Sequence, residues 1–175
     1  PGDLAAYQGI CGFPEGDGLP LPYPQVLATP LHLQLLAHPL FPFSSIGLVH
    51  VSQSIERFRP IASDEPLLLR CWADGLRQVR RGMEFDLHTE AHSAGERVWL
   101  GRALIFTRTG KGHGQKKPRP EELPLVPLTE ESWEIPENLG RRYTKISGDF
   151  NPIHIHALLA KPFGFSRAII HGMWS

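Results

Sequence analysis

Cysteine is scarce, with two in 175 residues. Cys11 and Cys71 stand sixty positions apart. That is neither a zinc spacing nor a disulfide framework, so a reducing, cytoplasmic setting is expected. Net charge is lacking too. Eighteen Lys and Arg balance eighteen Asp and Glu, whereas a domain that mainly grips nucleic acid carries a basic surplus. No apolar run approaches the ~20 residues that span a bilayer. The opening residues 1–7 offer neither the basic nor the apolar region of a signal peptide.

What is present suits a folded protein. Hydrophobic residues make up 41% of the chain, enough for a core, and the length fits one domain or a domain and a half. Residues 1–21 are rich in Gly, Pro and Asp and read as a loop or extended entry segment. From Pro22 to His38 the apolar positions predict a largely buried helix that Pro30 kinks or restarts. Strands are expected over 48–58, in the short run 67–73, and in a hairpin from 83 to 108. In that hairpin, residues 83–91 alternate with period two. Its turn, Ser93-Ala94-Gly95-Glu96, is not the tight Asn-Gly kind. Residues 109–127 form a basic connector bearing Gly and Pro. After it, Glu130 to Ile135 is expected as a strand. Residues 136–146 are expected as a helix with Leu139, Tyr143 and Ile146 on one face. The plan is α+β, with the start of a second unit after the connector.

The chemistry concentrates in Ser147-Gly148-Asp149-Phe150-Asn151-Pro152-Ile153-His154. Ser-Gly-Asp and Asn-Pro form loops, so the preceding helix ends near Ile146. Asp149 and His154 then share one compact turn with Asn151 between them. Pro152 restricts its backbone, and Phe150 and Ile153 are available to pin it to a core. A carboxylate and an imidazole held rigidly together make a candidate acid–base pair. Two other readings stand beside this one. Asp149 caps the next helix and His154 is an ordinary buried polar residue, or Asp149, His154, His156 and His171 bind a metal.

The same eight residues resemble the hydratase-2 signature of the MaoC-like, (R)-specific enoyl-CoA hydratase family. Ala160, Gly164-Phe165 and Ile169-Ile170-His171-Gly172-Met173 extend the likeness. The chain departs from the family pattern at His156-Ala157. The resemblance implies a hot-dog fold, a long helix wrapped by a curved antiparallel sheet, here as a double hot dog with a C-terminally incomplete second unit. Residues 1–108 are then the first, non-catalytic unit on the acyl-chain side, 109–127 the linker, and 128–175 the start of the catalytic unit. It implies a lyase, reversibly hydrating trans-2-enoyl thioesters to (3R)-hydroxyacyl thioesters, with no cofactor and no metal. Asp149 and His154 would be the catalytic pair, with Asn151 orienting it. Gly172 would offer a backbone N–H to the thioester carbonyl at the start of a central helix, and His171 would line the mouth or sit in the core. His32, His38 and His50 are expected to be structural.

The substrate would be a thioester of coenzyme A or acyl carrier protein, met by the basic residues of 111–119 with Arg141, Arg142 and Lys145. The assembly would be a homodimer. The alternative is a non-catalytic hot-dog protein that binds acyl thioesters or serves as a partner subunit. Completing a second unit takes roughly a hundred further residues. These 175 alone are expected to show little activity, with Ile169, Ile170, Met173 and Trp174 lacking a cover.

Overall fold

The computed structural model describes residues 3–14, 16, 18–109 and 134–174. The chain opens in a helix, α1 (Leu4–Cys11), where a loop was expected. The reason is local capping. The Asp3 side chain accepts from the Ala5 and Ala6 amides, and Gly12 closes the other end in the left-handed conformation. Tyr7 and Ile10 fasten α1 to the core.

The helix expected over 22–38 forms in two pieces, α2 (Tyr23–Leu27) and α3 (Thr29–Leu36), joined at Ala28. Pro30 lies in the first turn of α3, where its missing N–H has no helical partner to lose.

Four antiparallel strands follow: β1 (Val49–Arg57), β2 (Leu68–Val79), β3 (Gly82–Ser93) and β4 (Glu96–Arg108), in the order β1-β4-β3-β2. β2 runs well beyond the short apolar stretch read from sequence, because its polar second half pairs with β3 as far as Val79 and Gly82. The β3–β4 hairpin turns on two residues only. Ser93 pairs with Glu96, and Ala94 and Gly95 both carry positive φ (49° and 86°). The turn is therefore the tight primed kind after all, with Ala94 in the unusual position.

Alternation sorts the hairpin's faces. Phe85, Leu87 and Ala91 on β3 and Trp99, Ala103 and Ile105 on β4 are buried. They pair as Phe85 with Ile105, Leu87 with Ala103, and Ala91 with Trp99. Leu35, Leu36, Phe41 and Phe43 cover one end of this face. The other end joins Tyr7, Tyr23, Val26 and Ile61. On the opposite face Arg77 and Arg102 hold the Asp86 carboxylate, and Arg97 meets Glu90.

Beyond the connector, α4 (Leu139–Ser147) returns to this same core through Leu139 and Tyr143. The rings of Tyr7 and Tyr143 lie 6.3 Å apart. Residues 134–136, within the stretch expected as a strand, are irregular, and 130–133 lie outside the described residues. So does the connector from residue 110 onward. After α4 come a 3₁₀ turn (Pro152–His154), the short α5 (Ala157–Ala160) and a second 3₁₀ turn (Lys161–Phe163).

As expected with so few residues after it, no helix forms at Gly172 among the described residues. Residues 172–174 form a turn in which the Trp174 amide donates to the His171 carbonyl. Nor do the apolar residues there lack a cover. Ile170, Met173 and Trp174 pack on the α1–α4 core, and the Trp174 indole N–H donates to the Ile10 carbonyl at 2.8 Å.

Candidate functional site

The turn after α4 is fixed residue by residue. Gly148 ends the helix in the left-handed conformation (φ 73°). The Asp149 amide then donates to Ser147 Oγ, and the Asn151 amide donates to Asp149 Oδ1 at 3.0 Å. Asn151 caps the 3₁₀ turn by accepting from the Ile153 amide. Asp149 therefore caps its own turn, not the next helix, and α5 takes its cap from His156. Ile153 is buried and pins the turn. Phe150 does not, because it is 64% exposed.

Close approach to α4 depends on Gly140. A Cβ there would overlap the backbone carbonyl of His154. The missing side chain lets the turn lie directly on the helix.

His154 is buried, and its Nδ1–H donates to the Ile169 carbonyl at 2.9 Å. A carbonyl only accepts, so Nδ1 carries the proton of the neutral ring and Nε2 keeps its lone pair. The ring stacks on His171, with centroids 3.8 Å apart. His171 is only 3% exposed; its Nε2–H donates to the Asp149 carbonyl at 3.1 Å, and its buried Nδ1 has no hydrogen-bond partner. Burial first, and then the neighbouring His154, push the His171 pKa down to about 4. The lower ring of the stack is therefore neutral at ordinary pH.

One ligand-type atom from each of Asp149, His154 and His171 lies within 4.8 Å of the others. The Asp149 side chain is 42% exposed, so water reaches this cluster. As a metal ligand His171 is poorly placed, because its Nε2–H is on the Asp149 carbonyl and its other nitrogen, Nδ1, is buried. The donor set fits proton handling better. A second group of ligand type, Asp74, Asp86 and His88, lies on the outer sheet face, where Arg77 and Arg102 already hold Asp86.

Asp149, Asn151, His154 and His171 are thus brought together, with Gly172 beside them. His156 is exposed and stays outside. Arg141, Arg142 and Lys145 are exposed on α4. Burial raises the thiol pKa values of Cys71 and of Cys11, the latter to about 11, so neither is a poised nucleophile.

Sequence reasoning missed what the first half contributes. A Cβ on Gly148 would touch Thr29 at the start of α3, and one on Gly172 would lie 3.5 Å from His50 Nδ1 on β1. His32 on α3 interacts electrostatically with His50, and its Nε2 lies 2.7 Å from Thr89 Oγ1. Nothing local in the sequence signals these neighbours.

A helical layer on one face of an antiparallel sheet is the hot-dog-like α+β plan of MaoC dehydratase structures. Residues 114–175 match the family described as MaoC like domain. The chain is 35% identical, over its whole length, to 3-hydroxyacyl-thioester dehydratase X of Mycobacterium tuberculosis, and spans 63% of that protein. A crystal structure of HtdX from the same organism superposes with a TM-score of 0.82 at 32% identity, over 99% of this chain and 69% of that one. Peroxisomal enoyl-CoA hydratase 2 of Arabidopsis thaliana is 28% identical, over 77% of this chain and 48% of its own. The chain belongs to the MaoC-like dehydratase family. Among the described residues, no helix is long and apolar enough to cross a membrane.

Proposed function

We propose that this chain is the first unit and the opening of the second, catalytic unit of a double hot-dog enzyme that reversibly hydrates trans-2-enoyl thioesters to (3R)-hydroxyacyl thioesters. Residues 1–108 are the acyl-chain side, 109–127 the linker and 128–175 the catalytic start. The observation that carries the reading is the turn in which an Asp149 carboxylate oxygen and a ring nitrogen of His154 lie within 4.8 Å of each other. The names and lengths of the M. tuberculosis and Arabidopsis relatives support it.

In the hydration direction, water adds its oxygen to C3 and a proton reaches C2. Asp149 and His154 take the proton from the water and deliver one to C2. The Asn151 amide holds Asp149 Oδ1, leaving Oδ2 toward the site. His171, kept neutral, backs the His154 ring without adding a second positive charge. Gly172 lies where the thioester carbonyl is bound. The charge that grows there in the enolate-like transition state is what a fixed donor stabilises. The substrate is carried on coenzyme A or an acyl carrier protein, whose charge the exposed Arg141, Arg142 and Lys145 suit.

The test is loss of enoyl absorbance when the full-length protein meets crotonyl-CoA. Asp149→Asn and His154→Ala are each expected to cut kcat by ~10²–10⁴-fold with the fold retained. Near-normal turnover in either variant sinks the assignment. Binding of crotonyl-CoA with no turnover by the wild type would instead make the protein a non-catalytic acyl-thioester binder.

A further inference from the structure

We propose that His50, on the first unit's β1 strand, is a substrate-positioning residue whose Nδ1 accepts a hydrogen bond from the amide N–H of the phosphopantetheine arm nearest the thioester sulfur.

The aim of His50 comes from an irregularity in the sheet. His50 pairs with Ile105 and Ser52 with Leu104, so Val51 is an extra residue in β1. A bulge of this kind re-aims a side chain at a sheet edge. β1 is an edge strand here, and the chain's second segment comes to rest against it.

The ring's orientation and tautomer are both set. His50 Nε2 lies 3.1 Å from the Ser52 carbonyl. That carbonyl can only accept, so Nε2 carries the hydrogen and Nδ1 presents a lone pair. The groups that bear on the ring are His32 from α3, Gln53 on its own strand and Asp149 from the catalytic turn. Desolvation outweighs the hydrogen bonds and the Asp149 charge and holds the His50 pKa below the ordinary histidine value. The Ser52 carbonyl thus fixes the tautomer that leaves the lone pair on Nδ1.

The lone pair meets the site at Gly172. A Cβ on Gly172 would stand 3.5 Å from Nδ1, an ordinary contact. The Gly172 backbone does not adopt positive φ, so neither conformation nor crowding demands glycine there. A side chain at this position would stand directly against His50 Nδ1.

This inference rests on the proposed reaction, in which the thioester carbonyl lies at Gly172. The first N–H donor beyond the sulfur, two carbons away, is the cysteamine amide, common to coenzyme A and acyl carrier protein. An acceptor beside Gly172 is placed to take that N–H and so fix the thioester in register with Asp149 and His154. Phosphate plays no part, and the same contact serves either carrier.

The test pairs enzyme variants with substrates in the full-length protein. Crotonyl N-acetylcysteamine keeps the amide. S-(4-oxopentyl) thiocrotonate replaces its N–H by CH2 and keeps everything else. One neutral hydrogen bond is typically worth about 5–10-fold. His50→Ala is expected to lose at least fivefold more in kcat/KM with the first substrate than with the second, and His50→Gln, which retains an acceptor, to recover part of it. Equal losses with the two substrates would overturn the positioning role while leaving the hydratase reading intact. Absence of turnover by the wild type with either substrate and with crotonyl-CoA would overturn the reaction and this inference together.

Discussion

At the scale of the residue, hydrogen-bond accounting assigns the histidines their tasks. His154 gives Nδ1 to Ile169 and keeps Nε2, whereas His171 gives Nε2 to Asp149 and leaves Nδ1 buried and bare. His154 thus keeps one ring nitrogen without a hydrogen, and His171 is held neutral by burial. Gly172 works through absence. Gly172→Ala should leave the melting temperature unchanged, because its Cβ finds 3.5 Å of room. It should still lower kcat/KM by about 5–10-fold by screening His50 from substrate. A large drop in melting temperature would mean that the glycine serves the fold.

At the scale of the element, the decisive contact is α4 against the turn it launches. Leu139 and Tyr143 seat the helix in the core, Gly148 ends it, and Gly140 lets the His154 carbonyl lie on its surface. Gly140→Ala should therefore cost about 1–3 kcal/mol, the usual penalty for forcing an extra carbon into a packed contact. It should also lower kcat by displacing His154, although Ala is the better helix former. Thermal denaturation and turnover of the same preparation check both. A stabilised Gly140→Ala protein would show that the turn can lift from the helix without harm.

The helix and its turn were legible in the sequence through Leu139, Tyr143 and the Ser-Gly-Asp…Asn-Pro breakers, since caps and turns depend on neighbours in the chain. α1 was not legible. Its Gly- and Pro-bearing surroundings hid an Asp3 cap and a Gly12 stop that only the burial of Tyr7 and Ile10 makes worthwhile.

At the scale of the whole molecule, the two parts of the chain share one core, and buried histidines make it sensitive to acid. His32 and His171 both have pKa values pushed down to about 4 from the ordinary 6.5, in each case first by burial and then by a neighbouring imidazole. The unfolded chain takes up these protons below about 6.5, while the folded chain refuses them until about 4. The contribution of these two histidines to stability should be full above pH 6.5, fall as pH drops from 6.5 to 4, and be lost below that. Each histidine adds up to about 1.4 kcal/mol per pH unit to the decline. Melting temperatures across this range check the slope. His32→Gln should make it shallower, and an unchanged slope would remove His32 from the account.

The sequence by itself determined the α+β plan, the β3–β4 hairpin, the broken helix at Pro30 and the Asp149-Asn151-His154 turn. Each rests on periodicity or turn chemistry within a dozen residues, where chain connectivity already brings the groups together. Tertiary structure alone decided that His171 stacks under His154, that Trp174 reaches Ile10, and that His50 faces Gly172. These partners are separated by 17 to 164 positions. Only the packing of the second segment onto the α1 core and the β1 edge makes them neighbours, and no local pattern encodes that packing.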